Sequence, residues 1–168
     1  MIEAVIFDLD GTLVNIPINY EALYKKIIEV AEIDKIEGLT KTLQKLNSKQ
    51  RIEAFKVWMD EELKALPQMT VNKEGVKLYK AYSNKPLVLV TMQSRRATIK
   101  IMKKLNLKFR YIITREDSLD RAQQIKIAIK KLHKEPGKVL IIGDRESDAA
   151  AAREIGCQFQ RVQNENMV

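Results

Sequence analysis

Four short apolar runs, spaced along the chain, constrain the fold more than any other feature of this sequence. They are rich in valine and isoleucine and cover Ala4–Phe7, Leu87–Val90, Tyr111–Ile113 and residues 139–142. Continuous apolar runs of this length are typical of parallel strands that are buried on both faces of a sheet. A fifth, weaker strand is predicted at residues 159–162.

Helical patterns separate the later strands. Apolar residues recur at helical spacing in residues 96–105 and 119–132. Residues 147–155 are rich in alanine and are followed by Gly156, a residue type that often ends a helix. Because strands and helices alternate, the pattern predicts an α/β fold built on a doubly wound parallel sheet.

The stretch from residue 15 to residue 69 breaks this alternation and shows only helical periodicity. Its apolar stripes are Leu23, Ile27 and Val30; Leu39, Leu43 and Leu46; and Ile52, Phe55, Met59, Leu63 and Leu66. We interpret the stretch as a small helical cap inserted after the first strand, with residues 70–83 forming a helix that returns the chain to the core. The predicted domains are a core at 1–14 and 70–168 and a cap at 15–69.

Length and composition place the chain among ordinary globular proteins. Its 168 residues suit one core domain with a small insertion. Cys157 is the single cysteine, so no disulfide can form within the chain, and a cytoplasmic location is expected. No apolar run approaches the roughly 20 residues that span a bilayer, which predicts no membrane association.

The formal net charge of +8 is unevenly distributed. Residues 15–69 contain nine basic and nine acidic residues, whereas residues 95–138 contain fourteen basic and four acidic residues. A basic surface of this kind favours anionic partners, either phosphorylated metabolites or nucleic acid, although it can also be a solvated face without a partner.

Two aspartates follow the first strand directly. In the segment Asp8-Leu9-Asp10-Gly11-Thr12, strand alternation directs Asp8 and Asp10 to the same side. They lie at the carboxyl end of a buried strand, where α/β folds bind ligands. A turn after a strand could use the same residues, but burying both carboxylates without a metal or donors would be costly.

A second acidic pair follows the strand at residues 139–142. Asp144 and Asp148 stand in the segment GDRESD, so four aspartates are expected to converge from two strand ends. Oxygen ligands of this kind suggest a hard divalent cation, and Mg²⁺ fits the arrangement well. After Leu87–Val90, the segment Thr91-Met92-Gln93-Ser94 offers a hydroxyl and backbone N–H groups before a helix, which can bind phosphate or cap that helix.

These segments together resemble the haloacid dehalogenase superfamily, which consists mostly of phosphatases with a Rossmann-like core. The first motif of the family, DxDGT, is matched by Asp8–Thr12 within VIFDLDGTL, the second by Thr91 in LVLVT, and the fourth by Gly143–Asp148 in VLIIGDRESD. The small helical insertion after the first motif resembles the cap of the branch that is similar to phosphoglycolate phosphatases.

The third motif departs from the family pattern. The family uses a lysine that contacts the nucleophile and the phosphate, some twenty residues before the fourth motif. No lysine occupies that position here. Arg121, at the start of the predicted helix, is the first candidate and Lys126 the second. An arginine could hold phosphate through two donors, although not with the geometry of a lysine.

The resemblance implies a role for each matched residue. Asp8 would be the nucleophile and a metal ligand. Asp10 would be the acid and base, and would bind Mg²⁺ through its backbone carbonyl. Asp144 and Asp148 would complete the metal site, while Thr91 and Arg121 would hold the phosphoryl oxygens.

The expected activity is a Mg²⁺-dependent phosphomonoesterase that acts on a small phosphorylated metabolite through an aspartyl-phosphate. The presence of Asp10 disfavours a true dehalogenase, because the displacement of halide needs no proton donor. A phosphomutase would also have both aspartates and stays possible. The alternatives are a phosphatase of nucleic-acid ends, motivated by the basic stretch, and a non-catalytic binding protein. The substrate and the oligomeric state are not indicated by the sequence.

Overall fold

A computed structural model describes residues 1–164. The strands are β1 Ala4–Phe7, β2 Val14–Asn15, β3 Thr70–Val71, β4 Leu87–Val90, β5 Tyr111–Ile113, β6 Val139–Gly143 and β7 Gln158–Arg161. The α-helices are α1 Tyr20–Ala31, α2 Leu39–Gln44, α3 Ser48–Ala65, α4 Lys73–Ala81, α5 Arg95–Leu105, α6 Arg121–Leu132 and α7 Glu146–Ile155.

Five parallel strands form the main sheet, in the order β5-β4-β1-β6-β7. The predicted α/β fold with a doubly wound parallel sheet is therefore confirmed. The fifth strand is present, but it lies one residue earlier than the predicted range. Strand β1 is central, and the chain crosses from β5 at one edge to β6 on the other side of β1. This change of direction creates a crevice at the carboxyl ends of the strands, where such folds bind ligands.

Side-chain alternation in β1 divides the core into two layers. Val5 and Phe7 belong to the hydrophobic cluster on one face of the sheet, and Ala4 and Ile6 belong to the cluster on the other face. All four residues are buried. Because both faces are covered, the strand needs no polar alternation, which explains the continuous apolar runs in the sequence.

The segment between residues 15 and 69 is helical, as predicted, but its buried stripes differ in detail. Leu23 and Ile27 are buried on α1, whereas Val30 is 37% exposed and Ala31 is buried in its place. No member of the stripe predicted for this helix is fully buried, because Ile52 is 56% exposed and the other four members are only partly buried. The residues of α3 that are buried are Ala54, Trp58, Glu61, Glu62 and Ala65. Two buried glutamates on one helix are not expected from hydrophobic periodicity.

A two-stranded antiparallel ribbon joins the two ends of this helical segment. Strand β2 pairs with β3 in the register Val14 with Val71 and Asn15 with Thr70. The prediction of one helix over 70–83 is therefore wrong at its start, because Thr70 and Val71 pair as a strand and Asn72 caps α4. The boundaries of core and cap, at 14/15 and 69/70, stay a prediction. None of the helices in residues 1–164 is both long and apolar enough to cross a membrane.

Candidate active site

The polar residues that follow β1, β4 and β6 meet in one cavity of about 390 Å³ at the carboxyl edge of the sheet. Asp8 and Asp10 line it from the chain after β1, Thr91 from the loop after β4, and Arg121 from the first turn of α6. The backbone N–H of Asp8 donates to the Ile142 carbonyl at 3.0 Å, which holds the start of this loop against the neighbouring strand.

Three buried carboxylates form a compact group in this crevice. Ligand atoms of Asp8, Asp144 and Asp148 all lie within 4.8 Å of one another. The close packing of the loop after β1 against Asp144 depends on Gly11, which has a φ of +85°. A Cβ at Gly11 would collide with the Asp144 carboxylate. The Thr12 hydroxyl, 3.2 Å from Asp144 Oδ1, donates a hydrogen bond to it.

The electrostatics of this group favour a bound cation. Burial raises the pKa of Asp148 to about 7, and the negative charge of Asp8 adds to the effect. Burial and Asp8 also raise the pKa of Asp144. Several carboxylate oxygens with little access to water are a donor set that suits a hard divalent cation such as Mg²⁺. The residues present therefore fit the cation that the sequence predicts.

Asp10 lies in the same cavity, but its carboxylate is separate from the three-carboxylate group. Its Oδ1 accepts a hydrogen bond from the Ile16 N–H at 2.9 Å. Burial raises the pKa of Asp10 to about 6, opposed by that hydrogen bond and assisted by Asp8. Such a carboxyl can hold a proton close to neutral pH, as an acid and base requires. That Asp10 binds a metal through its backbone carbonyl stays a prediction.

Arg121 contacts two of the three clustered carboxylates. Its Nη2 lies 3.1 Å from Asp8 Oδ1, and its Nε lies 3.3 Å from Asp148 Oδ1. Its Nη1 donates to the Val90 carbonyl at 3.0 Å, at the end of β4. The helix begins here because the Asp120 side chain caps it. Lys126, the second candidate of the sequence analysis, is exposed on α6.

Thr91 and Ser94 serve different parts of the loop after β4. Thr91 is buried, lines the cavity, and accepts a hydrogen bond from the Gln93 N–H at 3.1 Å. The Ser94 side chain accepts from the Ala97 N–H and so caps α5. Helix capping therefore describes Ser94, whereas Thr91 lines the cavity.

Several residues at the site carried no signal in the sequence motifs. Arg145 lines the cavity, with its Nη2 3.9 Å from Asp10 Oδ2, and it stands inside the fourth motif at a position that the motif leaves variable. Tyr20, Tyr24 and Trp58 also line the cavity, from α1 and α3. Aromatic residues on amphipathic helices are usually core residues, so periodicity alone could not distinguish them.

A buried ion pair supports the loop that carries Thr91. Arg115 Nη1 lies 2.6 Å from Glu62 Oε1, and both side chains are fully buried. The other oxygen of Glu62 accepts from the Ser94 N–H at 2.8 Å, and Arg115 donates to the Met92 carbonyl at 3.2 Å. The pair thus connects α3 to the loop after β4. It joins residues that are far apart in sequence, and no local pattern could predict it.

Solved structures of several bacterial proteins share this fold. One is a proposed haloacid dehalogenase-like hydrolase from Bacteroides fragilis, with a TM-score of 0.72 and 17% identity over 98% of this chain and 89% of the other. A proposed phosphoglycolate phosphatase from Lactobacillus plantarum has a TM-score of 0.64 and 20% identity, over 95% of this chain and 86% of the other. CbbY from Rhodobacter sphaeroides, solved in complex with phosphate, has a TM-score of 0.68 and 15% identity, over 97% of this chain and 87% of the other.

Sequence comparison gives the family assignment. No protein of curated function matches the chain at a significant level. A sequence profile described as haloacid dehalogenase-like hydrolase matches residues 5–162, which includes every candidate site residue described above. The chain therefore belongs to the family of haloacid dehalogenase-like hydrolases, and it is an enzyme of the hydrolase class.

Proposed function

We propose that the protein is a Mg²⁺-dependent phosphomonoesterase that transfers the phosphoryl group of a small phosphorylated metabolite to Asp8 and then to water. One observation carries the proposal. Asp8 is paired with the guanidinium of Arg121 in the same cavity as Asp10, whose pKa is raised to about 6. A nucleophilic carboxylate, a cation for the phosphoryl group and a separate proton carrier are the groups that the reaction needs.

In the first step, a carboxylate oxygen of Asp8 bonds to phosphorus while the ester P–O bond breaks. The leaving alcohol takes the proton of Asp10. In the second step, water attacks phosphorus, the bond to Asp8 breaks, and Asp10 takes the proton that water releases. Asp8 is regenerated and inorganic phosphate leaves.

Positioning and charge account for most of the catalysis in phosphoryl transfer. Arg121 and Thr91 would orient the phosphoryl oxygens, since both line the cavity beside Asp8. Asp8, Asp144 and Asp148 would hold Mg²⁺. The cation, when bound, offsets the repulsion between the phosphate and the attacking carboxylate.

Contacts of the basic stretch lend less support to a phosphatase of nucleic-acid ends. Arg115 is buried against Glu62, and Arg95 forms an ion pair with Asp117 at 2.7 Å. These two arginines are therefore committed to interactions within the protein. The full set of aspartates in the cavity also argues against a non-catalytic binding protein.

The proposal is tested with purified protein and 4-nitrophenyl phosphate, with Mg²⁺ or with excess chelator. We expect turnover that requires Mg²⁺. No turnover above that of the Asp8→Asn variant, in any divalent metal, would refute the phosphatase. A panel of phosphorylated metabolites and 3′- or 5′-phosphorylated oligonucleotides then separates the two substrate classes, and faster hydrolysis of the oligonucleotides would favour the alternative.

A further inference from the structure

One part of the cavity wall is built from uncharged side chains of the helical segment 15–69. They are Tyr20, Tyr24, Leu39, Thr40 and Trp58. Within the part of the chain that the structure describes, this segment contributes no basic or acidic side chain to the cavity lining. A leaving group that enters the cavity with its phosphate in contact with Asp8 would therefore meet aromatic and aliphatic surface.

The aromatic residues of this wall are held in defined positions. The rings of Tyr20 and Tyr24 meet edge to face, with centroids 6.1 Å apart. On α3, the guanidinium of Arg115 stacks on the Trp58 ring at 4.1 Å from its centroid, while its ion pair with Glu62 fixes it in turn. Rings that are ordered before binding offer apolar contact area at a low cost in conformational entropy.

The two basic side chains that line the cavity both lie close to aspartates. Arg121 is engaged with Asp8 and Asp148. Arg145 lies 3.9 Å from Asp10. Within the described residues, Arg121 and Arg145 are the only basic side chains that line the cavity. A second anionic group on the substrate, such as a carboxylate or another phosphate, would therefore have no further side-chain cation to pair with.

We infer that the enzyme selects phosphate monoesters whose leaving group is uncharged and presents a flat apolar face, an aromatic ring above all. This inference rests on the proposed phosphomonoesterase activity. Stacking of a ring on Tyr20 and Tyr24 would supply binding energy beyond the area that it buries. A leaving group with a carboxylate would lose this contact.

The test compares substrates whose leaving groups are all aliphatic alcohols, so that leaving-group acidity contributes little to the difference. Benzyl phosphate carries the ring, glucose 6-phosphate a sugar ring, glycerol phosphate no ring, and 2-phosphoglycolate a carboxylate. We expect kcat/KM for benzyl phosphate to exceed that for 2-phosphoglycolate by about tenfold or more. Equal or faster hydrolysis of 2-phosphoglycolate would overturn the inference, and glucose 6-phosphate above benzyl phosphate would overturn the preference for an aromatic ring.

Variants of the wall identify the residues responsible. Tyr24→Leu should reduce the ratio of benzyl phosphate to glycerol phosphate to within about threefold of unity, whereas Tyr24→Phe, which keeps the ring, should keep the preference. Tyr111→Leu makes the same change on β5, away from the cavity, and should leave every kcat/KM within about twofold. An equal effect of Tyr24→Leu on all four substrates would contradict a role in selection.

Binding of two unreactive phosphonates separates this inference from the proposed activity. Benzylphosphonate and phosphonoacetate are not hydrolysed, so calorimetric titration of the Mg²⁺-loaded protein reports recognition even if no ester is turned over. We expect benzylphosphonate to bind about tenfold more tightly than phosphonoacetate, and Tyr24→Leu to remove the difference. Tighter binding of phosphonoacetate would refute the selectivity, and selective binding without turnover would refute only the phosphatase.

Discussion

Arg121 illustrates how one residue can replace another of the same charge and make different contacts. A lysine presents one compact ammonium group, whereas a guanidinium is planar and donates from several nitrogens. Arg121 uses three of its nitrogens, toward Asp8, Asp148 and the Val90 carbonyl. It therefore connects the proposed nucleophile, the fourth motif and the end of β4, and each contact depends on the position of the first turn of α6.

Substitution of Arg121 tests this role. Arg121→Ala removes the cation beside Asp8 and should lower kcat/KM by about 10²–10³-fold, the usual loss when a group that stabilises the transition state is removed. Arg121→Lys should recover part of the loss, because the lysine keeps the positive charge but lacks the several N–H donors of the planar guanidinium. The control is Lys126→Ala on the exposed face of the same helix, which should remain within about twofold of the wild type. If Lys126→Ala is the damaging change, the assignment of Arg121 is wrong.

The proposed role of Asp10 predicts a dependence on the leaving group. Asp10→Asn removes the proton donor, and general acid catalysis is worth about 10²–10⁴ in rate. The release of 4-nitrophenolate needs little protonation, so the first turnover of 4-nitrophenyl phosphate should survive better than that of an alkyl phosphate. Rapid-quench measurement of the first turnover distinguishes these losses. Equal losses with both substrates would show that Asp10 does not protonate the leaving group.

At the scale of elements, the apolar pattern predicts the strands better than the helices of the cap. Strands β1, β4 and β6 are recovered because residues buried on both sides must all be apolar. The β2–β3 ribbon could not be predicted, since two residues on each side carry no periodicity. The buried residues of α3 are not those of the predicted stripe, and one of them, Glu62, is buried in an ion pair with a residue after β5.

The ion pair between Glu62 and Arg115 holds α3 against the loop after β4. Both charged groups lose their hydration when they are buried, and this desolvation opposes folding. Burial raises the pKa of Glu62, although Arg115 and the Ser94 N–H act in the opposite direction. Burial also lowers the pKa of Arg115, against the attraction of Glu62. Desolvation therefore outweighs attraction for both groups, which is common for buried pairs.

Two variants test this balance by urea unfolding. Arg115→Met alone leaves a buried glutamate without its cation and should lower the free energy of unfolding by about 3–5 kcal/mol. The double variant Glu62→Gln with Arg115→Met keeps an acceptor for Ser94 and should recover most of the loss. A double variant that is no more stable than Arg115→Met would contradict the account.

The pH dependence of the same double variant follows from the raised pKa of Glu62. A carboxyl whose pKa is raised by folding contributes stability that is complete below its unfolded-state pKa, about 4.3, and that is lost as pH rises through the folded-state value. The double variant lacks this loss. The difference in free energy of unfolding, double variant minus wild type, should therefore increase from about pH 4 to pH 8. A decrease would show that folding lowers the pKa of Glu62 rather than raising it.

At the scale of the whole molecule, the site exists because the fold brings the carboxyl ends of β1, β4 and β6 together. The positions of Asp8, Thr91 and Asp144 in one crevice follow from that topology, and a sequence with strand-end motifs predicts it. The part of the cavity wall that comes from residues 15–69 depends on how the inserted helices pack. Sequence periodicity indicates which helices exist, but not which of their side chains reach the cavity.

The three-carboxylate group predicts a metal requirement that can be measured apart from turnover. Asp144→Ala should weaken Mg²⁺ binding, measured by calorimetry, because one of three converging ligands is lost. Glu116→Ala removes an acidic residue that lies outside this group and should leave Mg²⁺ affinity unchanged. Unaltered Mg²⁺ binding by the Asp144→Ala protein would show that the metal binds elsewhere.

The central claim is that Asp8 carries the phosphoryl group during turnover. Asp10→Asn protein is mixed with 4-nitrophenyl phosphate and Mg²⁺, quenched in acid, digested and analysed by mass spectrometry. The account predicts a phosphorylated peptide with the modification on Asp8, absent when Asp8 is also changed to Asn. Phosphate on another residue, or wild-type turnover that survives Asp8→Asn within a few-fold, would contradict it.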